Sequence, residues 1–157
     1  NLCFKLNTIG INNLVKTFVI RPNYQLSFDI HPEGTRGGWT NILHSTLSRS
    51  NCCGSRDRCP AVWFHSNTFR LHIRTSTNSV GNFGHDPGTQ INRHGSTNVI
   101  IRVQGSRLTI TYRGSTNYTW SGYINPSRQS GTTYFYVSDP WYTASYCYVR
   151  NVRWLNL

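Results

Sequence analysis

Carboxylates are what this chain most lacks. Asp29, Glu33, Asp57, Asp86 and Asp139 are all of them, against 16 Lys and Arg, for a formal net charge of +11. Ordinary glycoside hydrolysis uses two carboxyl groups flanking the scissile bond, and no two of these five fall on one strand face. That chemistry is therefore not expected, and the chain is read as a non-enzyme. Calcium takes about six to eight oxygens, usually several from carboxylates. The supply here points to no cofactor, or at most one weakly held calcium at Asp86 in GHDPG or Asp139 in SDPW. An Asp-Pro pair also starts turns, which is the simpler reading of both residues.

Methionine is absent, and the chain opens on Asn. The first twenty residues, NLCFKLNTIGINNLVKTFVI, lack the unbroken apolar core of a signal peptide, so any such peptide is expected to have been removed. No apolar run approaches the length of a membrane span. The sequon Asn117-Tyr118-Thr119 fits secretion. An extracellular, oxidising compartment is the expectation, and it bears on the five cysteines. The run NCCGSRDRCP has no second ligand pair at zinc-finger or ribbon spacing. Disulfides are expected instead: Cys3 with Cys147, tying the terminal segments, and Cys53 with Cys59, closing a small loop. One thiol is left over, either buried or free to link two chains.

Helical periodicity is missing too. What is present is β throughout: LVKTFVI, YQLSFDI, TNILHST, AVWFHS, FRLHIRT, NVIIRVQ, RLTITY, TYFYVS and YCYVRNVRWL are short runs rich in β-branched and aromatic residues. Connectors such as HPEGTRGG, SNCCGSRDR, SVGNFGHDPG and NPSRQSG separate them. Close-spaced strands without intervening helices indicate an all-β sandwich or barrel, and residues 1–157 read as a single domain. Parity predicts inward faces at Tyr24, Leu26, Phe28 and Ile30; Phe69, Leu71 and Ile73; Val99, Ile101 and Val103; and Leu108, Ile110 and Tyr112. The QGS turn predicts a tight hairpin with Gly105 at positive φ.

The order YQLSFDIHPEG, GWTNILHST, CPAVWFHSNTFRLHIR, TNVIIRVQGSRLTITYRG, YFYVSDPWYTASYCYVRNVRW resembles the concanavalin A-like lectin/glucanase superfamily. The likeness is to its laminin-G-like branch, in secreted invertebrate domains, over roughly residues 20–155. It implies a jelly-roll β-sandwich of two antiparallel sheets and carbohydrate recognition as the leading activity. Galectin-like relatives carry a His and an Arg four residues apart on one strand. His72 and Arg74 are two apart, so that signature is not met.

Sugar recognition needs an apolar plate for the C–H face of the ring and charged or bidentate groups for its hydroxyls. Any of Trp39, Trp63, Trp120, Trp141 and Trp154 could be the plate. Trp63 is opposite in parity to Val62 and Phe64, hence outward. Arg70, His72 and Arg74 share one face of their strand, so a cationic outer strip is expected beside Trp63. The glycan-binding candidates are Arg58, Trp63, His72, Arg74, Asp139 and Trp141. For Arg56-Asp57-Arg58, a rigid binding loop and an internal salt cluster are both compatible with the sequence, and His44 reads as a satisfied, partly buried imidazole. Glycans, acidic or galactose-type, are the expected partners, with homo-oligomers open. An adhesion module using its basic face on anionic matrix or protein is the alternative. A secreted basic ribonuclease is a lesser one, since the spacing of His72, His85, His94 and Glu33 predicts no acid–base pair, and nucleic acid is not an expected partner.

Overall fold

The computed structural model describes residues 2–4 and 11–157. Among the described residues, thirteen strands form two sheets. One sheet contains, in spatial order, β1 (Leu2–Phe4), β13 (Cys147–Asn156), β3 (Tyr24–Pro32), β8 (Thr97–Gln104), β9 (Arg107–Gly114) and β10 (Tyr118–Tyr123). The other runs β2 (Leu14–Ile20), β11 (Gly131–Val137), β4 (Thr40–Thr46), β5 (Ala61–Phe64), β6 (Leu71–Arg74) and β7 (Gly84–His85), with β12 (Thr143–Ala144) pairing β4. All pairings are antiparallel except β12 with β4. This is a jelly-roll β-sandwich, and among the described residues no helix is long and apolar enough to cross a membrane.

The core follows strand parity. Leu26, Phe28, Ile30, Leu71, Ile73, Val99, Ile101, Val103, Leu108 and Ile110 are wholly buried between the sheets, with Tyr24 and Tyr112 beside them. Burying aliphatic faces from both sheets supplies about 25 cal/mol per Å² of apolar area. The β8–β9 hairpin turns on Gly105 at φ 56°, a left-handed value that glycine reaches without Cβ strain. One prediction shifts: Phe69 lies before β6 begins at Leu71, and it packs edge-on to Phe64 while half-exposed.

Sheet parity alone does not explain β4 and β5, which are buried at every position. Their inward residues Ile42, Leu43, Val62 and Phe64 belong to the core. Their outward residues, His44 and Trp63 among them, are covered by a second layer made of two connectors. The segment 47–60 folds back along β4, with Leu47 N–H donating to Arg56 C=O and Cys59 N–H to Ser45 C=O. Asp57 pins it by accepting from Gly54 N–H at 2.7 Å and from the Ser48 hydroxyl. The other connector, 138–146, is held by Asp139.

The cysteine pairings predicted from sequence are corrected. Cys52 is joined to Cys53, and Cys59 is a buried free thiol, so the Cys53–Cys59 ring does not form. The side chain of Cys3 lies outside the described residues. Its backbone stands opposite Arg153, which in turn is opposite Ser27, whereas Cys147 is opposite Pro32. Five residues of β3 therefore separate the two levels, roughly 17 Å at strand rise. A disulfide tolerates Cα separations of only about 4.4–6.8 Å. Cys147 is a second buried free thiol.

Candidate functional site

The connectors that cover the outer face of this sheet leave a gap among them. It is a cavity of about 260 Å³ on the outer face of the β4–β5–β6 sheet, lined by Trp39, Cys52, Arg58, Trp63, His72, Asn82 and Tyr142. Small-molecule sites run from about 300 Å³ upward, so this one suits a single small polar molecule or the end of a longer one. The antiparallel register sets Trp63 directly opposite His72, which explains why they share the floor. Trp63 is only 1% exposed although it points away from the core.

Arg58 enters from the cysteine-bearing connector. Its guanidinium carbon lies 4.4 Å from the centroid of the Trp63 ring, a cation–π contact. Its Nε donates to Asn51 C=O at 3.0 Å, and its terminal nitrogens reach Asn82, Asn51 and the Tyr142 hydroxyl. The contacts to Asn51 Oδ1 and Tyr142 are long, 3.5 and 3.4 Å. Burial pushes the Arg58 pKa down, while Tyr142 and Asp139 oppose that shift. No ion pair joins Asp57 to either neighbouring arginine among the described residues, so the loop is rigid through Ser48 and Gly54 rather than through a salt cluster.

Beside the cavity, Asp86 organises the predicted cationic strip. Arg74 Nη1 donates to Asp86 Oδ1 at 2.7 Å, and His72 Nδ1 and His65 Nε2 each lie 3.0 Å from Oδ2. Arg70 donates to the carbonyls of Asp86 and Pro87 at 3.1 and 3.0 Å. The GHDPG segment thus docks on the strip and supplies its counter-charge. Burial would raise the Asp86 pKa, yet the hydrogen bond and charge of His72, with the same from Arg74, hold it well below the carboxylate range. For His72, burial dominates and lowers the pKa, with Arg74 acting the same way against Asp86. The permanent cation facing Asp86 is Arg74.

The structure brings Arg58, Trp63 and His72 together. It does not bring the other three candidates with them. Arg74 sits behind Asp86, committed to that carboxylate and to Ile73 C=O. Asp139 is fully buried: Oδ2 meets His44 Nδ1 at 2.7 Å, and Oδ1 accepts from Trp141 N–H and Tyr142 N–H. It caps the turn as the Asp-Pro reading anticipated, with its three contacts made inside the protein. Trp141 is 37% exposed and packs edge-on to His44, outside the cavity lining. His44 is wholly rather than partly buried, its Nε2 facing Asp57 C=O at 2.8 Å.

Asn82 carried no sequence signal of its own, whereas Cys52 and Tyr142 stand in the cysteine run and the SDPWY loop. Trp39 carried one: it stands exposed after two glycines in a turn-rich connector, and its ring lies 4.5 and 4.6 Å from those of His65 and His72. A second cavity, about 270 Å³ on the outer face of the six-stranded sheet, is lined by Asp29, His31, Ser96, Tyr148 and Arg150. It has no tryptophan, and its Asp29 is already taken by Asn98 and Asn151. The cavity over Trp63 is the better candidate on chemistry.

No protein-family model and no curated protein matches the sequence. Solved structures do match in fold. A mutant Trypanosoma rangeli sialidase displaying trans-sialidase activity aligns with a TM-score of 0.62 at 13% identity, over 98% of this chain and 27% of that one. The chain thus spans about a quarter of the sialidase. The CBM2 module of an evolved Dit protein of a Lactobacillus casei phage aligns with a TM-score of 0.53 at 9% identity, over 94% of this chain and 74% of that one. Domain 4 of an extracellular arabinanase from Geobacillus stearothermophilus, in complex with arabinotriose, gives 0.51 at 11% identity, over 97% and 69%. At these identities the likeness is one of fold.

Proposed function

We propose that this chain is a secreted, non-catalytic carbohydrate-binding protein that takes an acidic sugar residue in the cavity over Trp63. The observation that carries this reading is the unsatisfied chemistry of the cavity wall. Trp63 Nε1 is buried with no acceptor among the described residues, beside a guanidinium two of whose hydrogen bonds are long. A buried donor without a partner costs about 1–3 kcal/mol, which a ligand oxygen would recover. The exposed Trp39 ring offers an apolar plate, and Arg58 offers the planar fork that grips a carboxylate or sulfate in a bidentate way. No carboxylate lines the cavity, so its own groups suit binding better than glycoside hydrolysis.

The comparisons lend support at the level of names. One neighbour is a sialidase, another a carbohydrate-binding module by its designation, and a third holds arabinotriose. The basic charge of the whole chain favours the same class of ligand. A glycan array read with wild-type protein and with Arg58→Ala tests the proposal. Binding concentrated on acidic glycans and lost in the variant is the expected result. Undiminished binding by a folded Arg58→Ala protein would place the sugar elsewhere, and uniform retention of any polyanion would favour the adhesion reading.

A further inference from the structure

The geometry points to a second site beside the cavity: His65, His72 and Asp86 form a three-ligand centre for a divalent transition metal, zinc by its donor set. His65 Nε2, His72 Nδ1 and one Asp86 oxygen lie within 4.8 Å of one another. The two nitrogens are each 3.0 Å from Asp86 Oδ2, and His72 Nδ1 also stands 2.9 Å from Oδ1. In a tetrahedral zinc site with bonds of about 2.0–2.1 Å, neighbouring ligand atoms stand about 3.3 Å apart. A shift of a few tenths of an ångström therefore converts the two hydrogen bonds into two edges of a coordination tetrahedron.

Three further features fit. Each imidazole nitrogen faces Asp86 Oδ2, and moving its proton to the other ring nitrogen leaves a lone pair on the side of the carboxylate. Asp86 Oδ1 remains with Arg74 at 2.7 Å, and such an outer hydrogen bond fixes the orientation of a ligating carboxylate. The Trp39 ring packs on both imidazoles, holding their planes. The three side chains keep 23%, 13% and 17% exposure, so an ion has a path of entry. Two nitrogens and one carboxylate are a poor set for calcium, which wants many oxygens, and a good one for zinc. Three protein ligands leave a coordination position open, and His72 lies on the border with the cavity, where a bound small molecule would find it.

The test uses chelator-stripped full chain titrated with Co²⁺ and Zn²⁺. Saturable binding of one equivalent, with the visible absorption of four-coordinate cobalt displaced by zinc, is expected. His65→Ala and Asp86→Asn should each abolish the saturable phase. His65 does not line the cavity, and near-ultraviolet circular dichroism shows that its variant is folded. Asp86→Asn is the less forgiving variant, and the His65→Ala result stands without it. Absence of saturable binding in the wild type, or unchanged binding in His65→Ala, overturns the assignment. Either outcome leaves the sugar proposal untouched, because that is read on the array with metal-free protein.

Discussion

Arg58 and Trp63 meet across two structural layers, the guanidinium of a loop lying 4.4 Å above an indole that belongs to the sheet. The contact fixes a long, flexible cation over a rigid floor. Much of the entropy that Arg58 would lose on gripping a ligand has therefore already been lost in folding. Replacement by lysine keeps the charge and loses the planar fork. Arg58→Lys and Arg58→Ala should both weaken acidic-glycan binding, by about tenfold to a hundredfold for the alanine, the usual worth of charge-assisted hydrogen bonds of about 1.5–3 kcal/mol. Calorimetry on one array hit reads this. A lysine variant that binds like wild type would mean that Arg58 acts as a diffuse charge. Adding salt should weaken binding of the acidic ligand and spare a neutral one.

The pair His44–Asp139 carries the opposite kind of role. Both residues are fully buried, and both nitrogens of His44 face acceptors. His44→Ala removes the partner of Asp139 Oδ2 and of the Asp57 carbonyl at once. Orphaning one partner of such a pair typically costs about 3–5 kcal/mol. The denaturation midpoint should fall accordingly, and the double variant with Asp139→Asn should lose less than the sum of the singles. Additive losses would show that the two side chains act independently.

Thiol chemistry separates the observed cysteine pattern from the one sequence suggests. Burial raises the Cys59 thiol pKa to about 12 and that of Cys147 still further. Thiolate is the reactive species, so neither residue should be alkylated in the folded protein at neutral pH. Both should label once the chain is unfolded without reductant, while peptide mapping finds Cys52 and Cys53 joined to each other. Recovery of a Cys53–Cys59 peptide would reverse this pairing.

How far the sequence reached depends on what each residue faces. Inward positions of β3, β8 and β9 were legible because a two-residue period is the direct imprint of one buried face. The strand β10 left no such imprint. It is an edge strand whose burial does alternate, but its inner face is only half-buried and ends in Gly122, while Tyr123 faces solvent. Trp63 was correctly read as outward and wrongly pictured as open, since parity knows nothing of a second layer. The cationic strip was visible in FRLHIRT, but its partner Asp86 comes from a loop twelve residues beyond Arg74. Spacing cannot reveal contacts made when a loop folds back. Arg58 and Asn82 meet for that same reason.

Acid should loosen the protein in two stages. Burial and Arg74 depress the His72 pKa below its ordinary 6.5, so just below that pH the unfolded chain binds the proton that the folded chain refuses. Stability therefore falls as pH drops through 6.5 toward the folded value. Asp86 behaves in the same direction at lower pH. Its depressed pKa means that its contribution is whole above 3.8 and lost as pH falls through the folded value. Melting temperature measured in chelator between about pH 8 and pH 2 should show the first decline near the imidazole range. In His72→Asn that first decline should shrink, while the acid limb from Asp86 persists. An unchanged first decline in the variant would assign it to another histidine, with His85, whose pKa burial also lowers, the next to replace.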